Sequence, residues 1–153
     1  MTSPSARRTA LAALALLLGA TPLAAQVTRE FGIEAIALAA HPGFAGGGVW
    51  GAIRPSGRLR LAVSALLGDR AGTAVRGEFA AHFLLDPARK RGAALYAGGG
   101  LAVESGPAGQ AWLLAVLGVE GAPGGRSGWA VEFGVGGGVR LMAAWRWRSG
   151  RRS

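Results

Sequence analysis

From Val75 to Leu85 the chain alternates residue by residue. Val75, Gly77, Phe79, Ala81, Phe83 and Leu85 fall on one face of an extended segment, and Arg76, Glu78, Ala80 and His82 fall on the other. Successive side chains of a strand point to opposite faces, so this period of two specifies a strand held between two different surroundings. A soluble sheet has the same pattern. The constraint tightens because the alternation recurs in a chain that is 50% hydrophobic and only 16% charged. The question it poses is which face looks outward.

Other segments repeat the pattern. Leu59, Leu61, Val63, Ala65 and Leu67 alternate with Arg58, Arg60, Ala62, Ser64 and Leu66. Leu95, Ala97, Gly99, Leu101 and Val103 oppose Tyr96, Gly98, Gly100, Ala102 and Glu104. Trp129, Val131, Phe133 and Val135 oppose Ala130, Glu132 and Gly134, while Val139, Leu141, Ala143, Trp145 and Trp147 oppose Arg140, Met142, Ala144, Arg146 and Arg148. Near the start, Glu30, Gly32 and Glu34 oppose Phe31, Ile33 and Ala35. Two segments alternate less cleanly: glycines separate Val49, Trp50, Ile53 and Arg54, and Trp112 to Leu117 is apolar on both faces.

Breaks separate these runs. Pro42, Pro55, Pro87, Pro107 and Pro123 each lie in a polar or glycine-rich stretch, where a fixed φ and a missing N–H favour a turn over a central strand. Gly68-Asp69-Arg70-Ala71-Gly72 and Gly136-Gly137-Gly138 add two further turns. Seven breaks predict eight strands, at about 27–39, 43–54, 58–67, 73–85, 93–104, 110–120, 129–135 and 139–148. Most exceed the usual globular strand of about five or six residues. Their length matches the roughly 9–11 tilted residues that cross a bilayer as a strand.

The first 25 residues read as an export signal. Arg7 and Arg8 precede an apolar stretch from Thr9 to Leu18, and Thr21-Pro22-Leu23-Ala24-Ala25 supplies the break and small residues of a cleavage site. Three divisions are therefore expected: a signal peptide over 1–25, a β-barrel domain over 26–148 and a basic tail over 149–153. Loss of Arg7 and Arg8 lowers the formal charge from +9 to +7. The remaining excess sits in turns and tail, with no stripe suited to nucleic acid, and an exported chain meets little of it. Cysteine is absent, which excludes disulfides and thiolate metal sites.

The faces that carry charge are otherwise rich in Gly, Ala and Ser, whereas the Lys, Asp, Asn, Gln and Thr of a solvated face are scarce. That mixture suits the crowded lumen of a small barrel. An Arg or Lys on a lipid face costs about 2–4 kcal/mol at mid-membrane, which accounts for the clean opposite face. The expected lipid-facing set is Leu59, Leu61, Val63, Phe79, Phe83, Leu101, Trp129, Phe133, Trp145 and Trp147. Inside, Glu30, Glu34, Glu78, Glu104 and Glu132 would meet Arg60, Arg76, Arg140 and Arg146, with His82 in a network with Arg76 and Glu78 or at a strand end. Ions in so narrow a space must pair, so the expected lumen is plugged by a salt-bridge network.

An export signal, eight segments of spanning length and aromatics near their ends together resemble the small eight-stranded outer-membrane barrels, the OmpA- and OmpX-like family. The resemblance implies an antiparallel up-and-down barrel in the outer membrane with both termini periplasmic. It also implies outer-membrane lipids and the barrel-assembly machinery as partners. Trp145-Arg146-Trp147 resembles the aromatic-x-aromatic close of an assembly signal, although Arg148 to Ser153 follow where that signal ends its chain. In this topology Arg54, Arg58, Arg89, Lys90, Arg91, Arg126, Arg148, Arg151 and Arg152 gather at the rim of the termini, and His41, Asp69, Arg70 and Glu104 at the other. The basic rim would either meet anionic headgroups or consist of solvated turns.

Chemistry is sparsely represented. Two histidines, His41 and His82, have no metal-ligand spacing, and no serine sits in a nucleophile elbow. His82 is followed by Phe83 and Leu84 and so lacks the neighbouring serine of lipid A deacylases. Gly46–Gly48 and Gly98–Gly100 lack the Lys-Ser/Thr and helix of a phosphate loop. The expectation is a non-enzymatic barrel without metal or cofactor. The alternative is an exported soluble barrel of lipocalin or avidin type, in which Leu61, Phe79, Phe83 and Trp129 would line a cavity for a small apolar ligand.

Overall fold

The computed structural model describes residues 27–105 and 109–149. The proposed signal segment 1–25 and the tail beyond Ser149 lie outside the described residues. Eight antiparallel strands close into a barrel in chain order: β1 Thr28–Ala39, β2 Phe44–Arg54, β3 Leu59–Asp69, β4 Thr73–Leu84, β5 Ala93–Glu104, β6 Gln110–Gly121, β7 Ser127–Val135 and β8 Val139–Ser149. Each strand pairs with its sequence neighbour, and β1 pairs with β8 with Phe31 opposite Trp147. Closure satisfies the ladder on both sides of every strand and leaves no open edge.

Strand ends differ from the sequence reading by at most two residues, and three of the extensions arise because pairing continues through residues of turn type. β3 runs on to Asp69, since Gly68 and Asp69 pair with β2 on one side and β4 on the other. β7 starts at Ser127, where Ser127 and Gly128 pair with Trp147 and Arg146. Ser149 stands opposite Arg29 and so belongs to β8, shortening the tail by one residue. The β7–β8 turn needs glycine for two reasons. Gly137 has φ +81, and a Cβ there would meet the Trp112 ring at 2.8 Å.

Inside, large rings lie on glycines. Tyr96 packs on Gly118, Trp50 on Gly32, and Phe44 on Gly46 and Gly68. The missing Cβ atoms make the space that a barrel of this size otherwise lacks. An apolar cluster of Ile36, Leu38, Phe44, Leu66 and Met142 fills part of the interior, with Trp50 against it. A smaller one joins Ala80, Leu114 and Val116.

Candidate functional site

Every glutamate of the chain is buried inside the barrel: Glu30, Glu34, Glu78, Glu104, Glu120 and Glu132. Arg54, Arg60, Arg76, Arg140, Arg146 and His82 are buried with them. Strand parity brings these side chains inward, since each shares its face with the small or apolar inward residues of its own strand.

At the end bearing the chain termini, Glu30 and Glu120 share four guanidinium groups. Glu30 contacts Arg54 at 2.9 Å, Arg148 at 2.7 Å, Arg146 at 3.2 Å and Arg60 at 3.8 Å. Glu120 contacts Arg60 at 2.8 Å, Arg54 at 3.4 Å and Arg146 at 3.5 Å. The surplus donors turn to backbone. Arg146 donates to the carbonyls of Gly121 and Ala122, and Arg148 to that of Pro123.

Arg60 links this cluster to the next by donating from Nε to Nδ1 of His82 at 3.1 Å, with Tyr96 beneath its guanidinium. His82 Nε2 lies 3.7 Å from Glu132, which accepts from the Tyr96 hydroxyl at 2.8 Å and from Arg140 at 2.6 Å. Arg140 also donates to Glu78 at 2.8 Å, and Glu78 pairs with Arg76 at 2.8 Å. Arg76 donates to the Gly136 carbonyl and contacts Glu104 at 3.3 Å, and Glu104 meets Arg70 at 2.6 Å near the opposite rim. One connected ladder of polar contacts therefore runs from rim to rim, and all eight strands contribute to it.

Glu34 stands apart. It has no ion pair among the described residues, and its Oε1 lacks a hydrogen-bond partner. It borders a mid-lumen cavity of about 40 Å³ together with Trp50, Ser64 and His82. A cavity of that size holds one or a few waters, which can serve polar groups left over by the ladder. Among the described residues no cluster of three or more His, Asp or Glu side chains is placed to hold a metal ion.

His82 lies in the same ladder as Arg76 and Glu78 but touches neither directly. Four residues along one strand span about 13 Å, so Glu78 is beyond reach of His82, whereas side chains from across the lumen are near. Arg76 and Glu78, two residues apart, do pair. Arg54 turns inward into the Glu30–Glu120 cluster instead of joining the rim, and Arg148 leans into the same cluster. Glu120, Tyr96 and Arg70 also belong to the ladder and were not expected there. Parity was the available signal: Arg54 shares a face with Trp50, Glu120 with Leu114 and Val116, and Tyr96 with Glu104.

The outer wall is the converse of the lumen. Phe31, Ile33, Val49, Leu59, Val63, Phe79, Phe83, Leu101, Leu113, Trp129, Phe133, Trp145 and Trp147 all point away from the barrel with large exposed areas, and Leu61 is partly exposed beside them. On the strands this wall carries two charged side chains, Arg29 at one end and Asp69 at the other.

No family model and no curated protein matches the chain. Solved structures do. The N-terminal β-barrel domain of Pseudomonas aeruginosa OprF aligns with a TM-score of 0.58 and 14% identity, over 78% of this chain and 97% of that one. Neisserial surface protein A aligns with a TM-score of 0.50 and 14% identity, over 79% of this chain and 96% of that one. The fold is that of the small eight-stranded outer-membrane barrels.

Proposed function

We propose that the protein is an integral outer-membrane barrel with a structural or interaction role, closed to solutes by the side chains that fill it. The observation that carries this reading is the inversion of polarity. Leu113, Leu117, Phe133 and Val63 are 60–80% exposed on the wall, while Arg76, Arg146 and Glu120 are at most 1% exposed inside. In water that arrangement would expose apolar surface far beyond the few hundred Å² usual for a soluble monomer. In a bilayer the same surface meets acyl chains and the backbone is satisfied by closure. A lipocalin-like reading requires Leu61, Phe79, Phe83 and Trp129 around a cavity, and these side chains lie on the opposite face.

The ladder and the apolar cluster around Phe44 and Leu66 together occupy the lumen, which supports a plugged barrel. Both termini periplasmic, delivery by the barrel-assembly machinery and contact with outer-membrane lipids complete the proposal. The test is extraction and migration. A membrane barrel stays with the membrane in alkaline carbonate, dissolves in detergent and migrates differently on gels before and after boiling. Release by carbonate without detergent overturns the reading.

A further inference from the structure

The two ends of this barrel differ in charge and in aromatic content, and the differences coincide. At the end with the termini, Arg29, Arg58, Arg89, Lys90, Arg91 and Arg126 are all exposed, and one acid, Asp86, faces them and pairs with Arg89 at 2.8 Å. At the other end Asp69 is balanced by Arg70, which is itself engaged with Glu104 and the Pro42 carbonyl. Inside, the same asymmetry continues. Four arginines share Glu30 and Glu120 at the terminal end, whereas Arg70, Arg76 and Arg140 share Glu78, Glu104 and Glu132 toward the other, with Glu34 unpaired.

All three outward tryptophans follow the charge, with Phe31 and Phe83, while Phe79 lies mid-strand and Phe133 toward the β7–β8 turn. Phe31 stacks on Trp147 with ring centroids 5.6 Å apart, Trp129 stands opposite Trp145 in the register, and Phe83 opposite Leu59. The Trp129 indole lies over Gly121, where a Cβ would meet it. At the far end the wall positions nearest the turns are aliphatic: Leu67, Val75, Val103, Leu113, Val135 and Val139. Aromatic rings of this kind settle at the headgroup level of a bilayer. Arg29 projects from the wall two residues beyond Phe31, a position where a cation meets either water or a lipid phosphate.

We infer that the terminal rim is a docking surface for anionic phospholipid headgroups, with the phosphates between the tryptophan belt and the exposed cations. This rests on the membrane reading and deepens it: the leaflet at the termini is selected for anionic lipid. Basic groups close to an anionic surface each contribute about five-fold in affinity at moderate salt, and the attraction fades beyond a Debye length. Asp86 offsets one of the six cations, so the surface retains a net excess of five charges.

The tryptophans themselves report on the test. Trp129, Trp145 and Trp147 face outward at this rim, while Trp50 and Trp112 face the interior. The protein is placed in vesicles of phosphatidylcholine mixed with phosphatidylglycerol, with bromine on the acyl chains of one lipid at a time. The expected result is that brominated phosphatidylglycerol quenches several-fold more than its mole fraction predicts. The preference falls to parity in R29Q/R58Q/K90Q/R91Q/R126Q and in the wild-type protein at high salt. Equal quenching by the two lipids in the wild type overturns the inference, as does a preference that survives the five substitutions. Its abolition by millimolar inorganic phosphate marks a free-anion site and overturns the bilayer docking surface. Absence of quenching by either lipid, with strand circular dichroism retained, sinks the membrane reading itself.

Discussion

Arg140 offers a direct measure of what the ladder contributes. Its guanidinium is almost fully buried and bridges Glu132 at 2.6 Å and Glu78 at 2.8 Å. Two unit charges about 4 Å apart interact by about 4 kcal/mol at an effective dielectric of 20, and Arg140 makes two such contacts. Desolvation of the ions offsets much of that sum, so the pair itself adds little over an apolar substitute. Removing one partner is different, because it strands charge in the interior and costs about 3–5 kcal/mol. Arg140→Met takes the guanidinium from Glu132, which keeps only the Tyr96 hydroxyl and His82 beside it, while Glu78 keeps Arg76, so the cost falls within that range. Glu132→Gln with Arg140→Met removes the stranded carboxylate itself, and Glu78 stays paired with Arg76, so the double variant recovers about 1–3 kcal/mol of the sum of the singles, the usual size of coupling between contacting residues. The control is built into the molecule. Arg89 and Asp86 are also 2.8 Å apart, but their side chains are 49% and 46% exposed, so Arg89→Gln costs no more than about 1 kcal/mol. Urea unfolding in vesicles, followed by tryptophan fluorescence and gel migration, measures all four proteins. Equal, small losses for Arg140→Met and Arg89→Gln, with strict additivity in the double variant, would refute the claim that burial governs these pairs.

Further outcomes follow from other contacts. Tyr96→Phe removes a hydroxyl that donates to a buried carboxylate and lowers stability by about 1.5–3 kcal/mol in the same urea assay. Gly118→Ala drives a methyl into the Tyr96 ring, which is held by Glu132 and Arg60 and has little freedom to move; the expected loss is about 1–3 kcal/mol, relieved in a Tyr96→Leu background. Val63→Arg places a cation mid-strand on the wall, away from both rims, and costs about 2–4 kcal/mol in bilayers, whereas Arg29→Leu at the rim leaves vesicle-measured stability within about 1 kcal/mol. Planar-bilayer recordings of the reconstituted protein show no steady ion conductance, because the ladder and the Phe44–Leu66 cluster occupy the lumen; a stable open level would count against the plug.

The architecture was legible because period-two alternation and proline-marked breaks act locally, residue by residue along each strand. Most strand ends fell within one residue of the reading. The exceptions at Gly68-Asp69 and Ser127-Gly128 were residues of turn type kept in the ladder by neighbours on adjacent strands. Partners inside the lumen were much less legible. Parity tells that Arg60, His82 and Glu132 point inward, but which of them meet depends on strand stagger and on the width left by glycines such as Gly98 and Gly118. Arg54 and Arg148 looked like rim residues because they end their strands, yet an inward face leads them to Glu30.

The contacts of the ladder also carry a temporal meaning. Arg60 reaches Glu120 from β3 to β6, Arg140 reaches Glu78 from β8 to β4, and Tyr96 reaches Glu132 from β5 to β7. None of these strand pairs are sheet neighbours, so no hairpin on its own can form such a bond. Tyr96 and Glu132 need three consecutive strands, and the contacts of Arg60 and Arg140 reach across more of the sheet, so the ladder is complete only when the first strand meets the last. A half-built sheet has its hairpins and its apolar wall but not the finished ladder, which closure completes. Interactions absent until that late step slow escape from the finished state more than they speed arrival at it. The ladder thus works as a latch, set by closure and felt chiefly in how long the barrel stays shut.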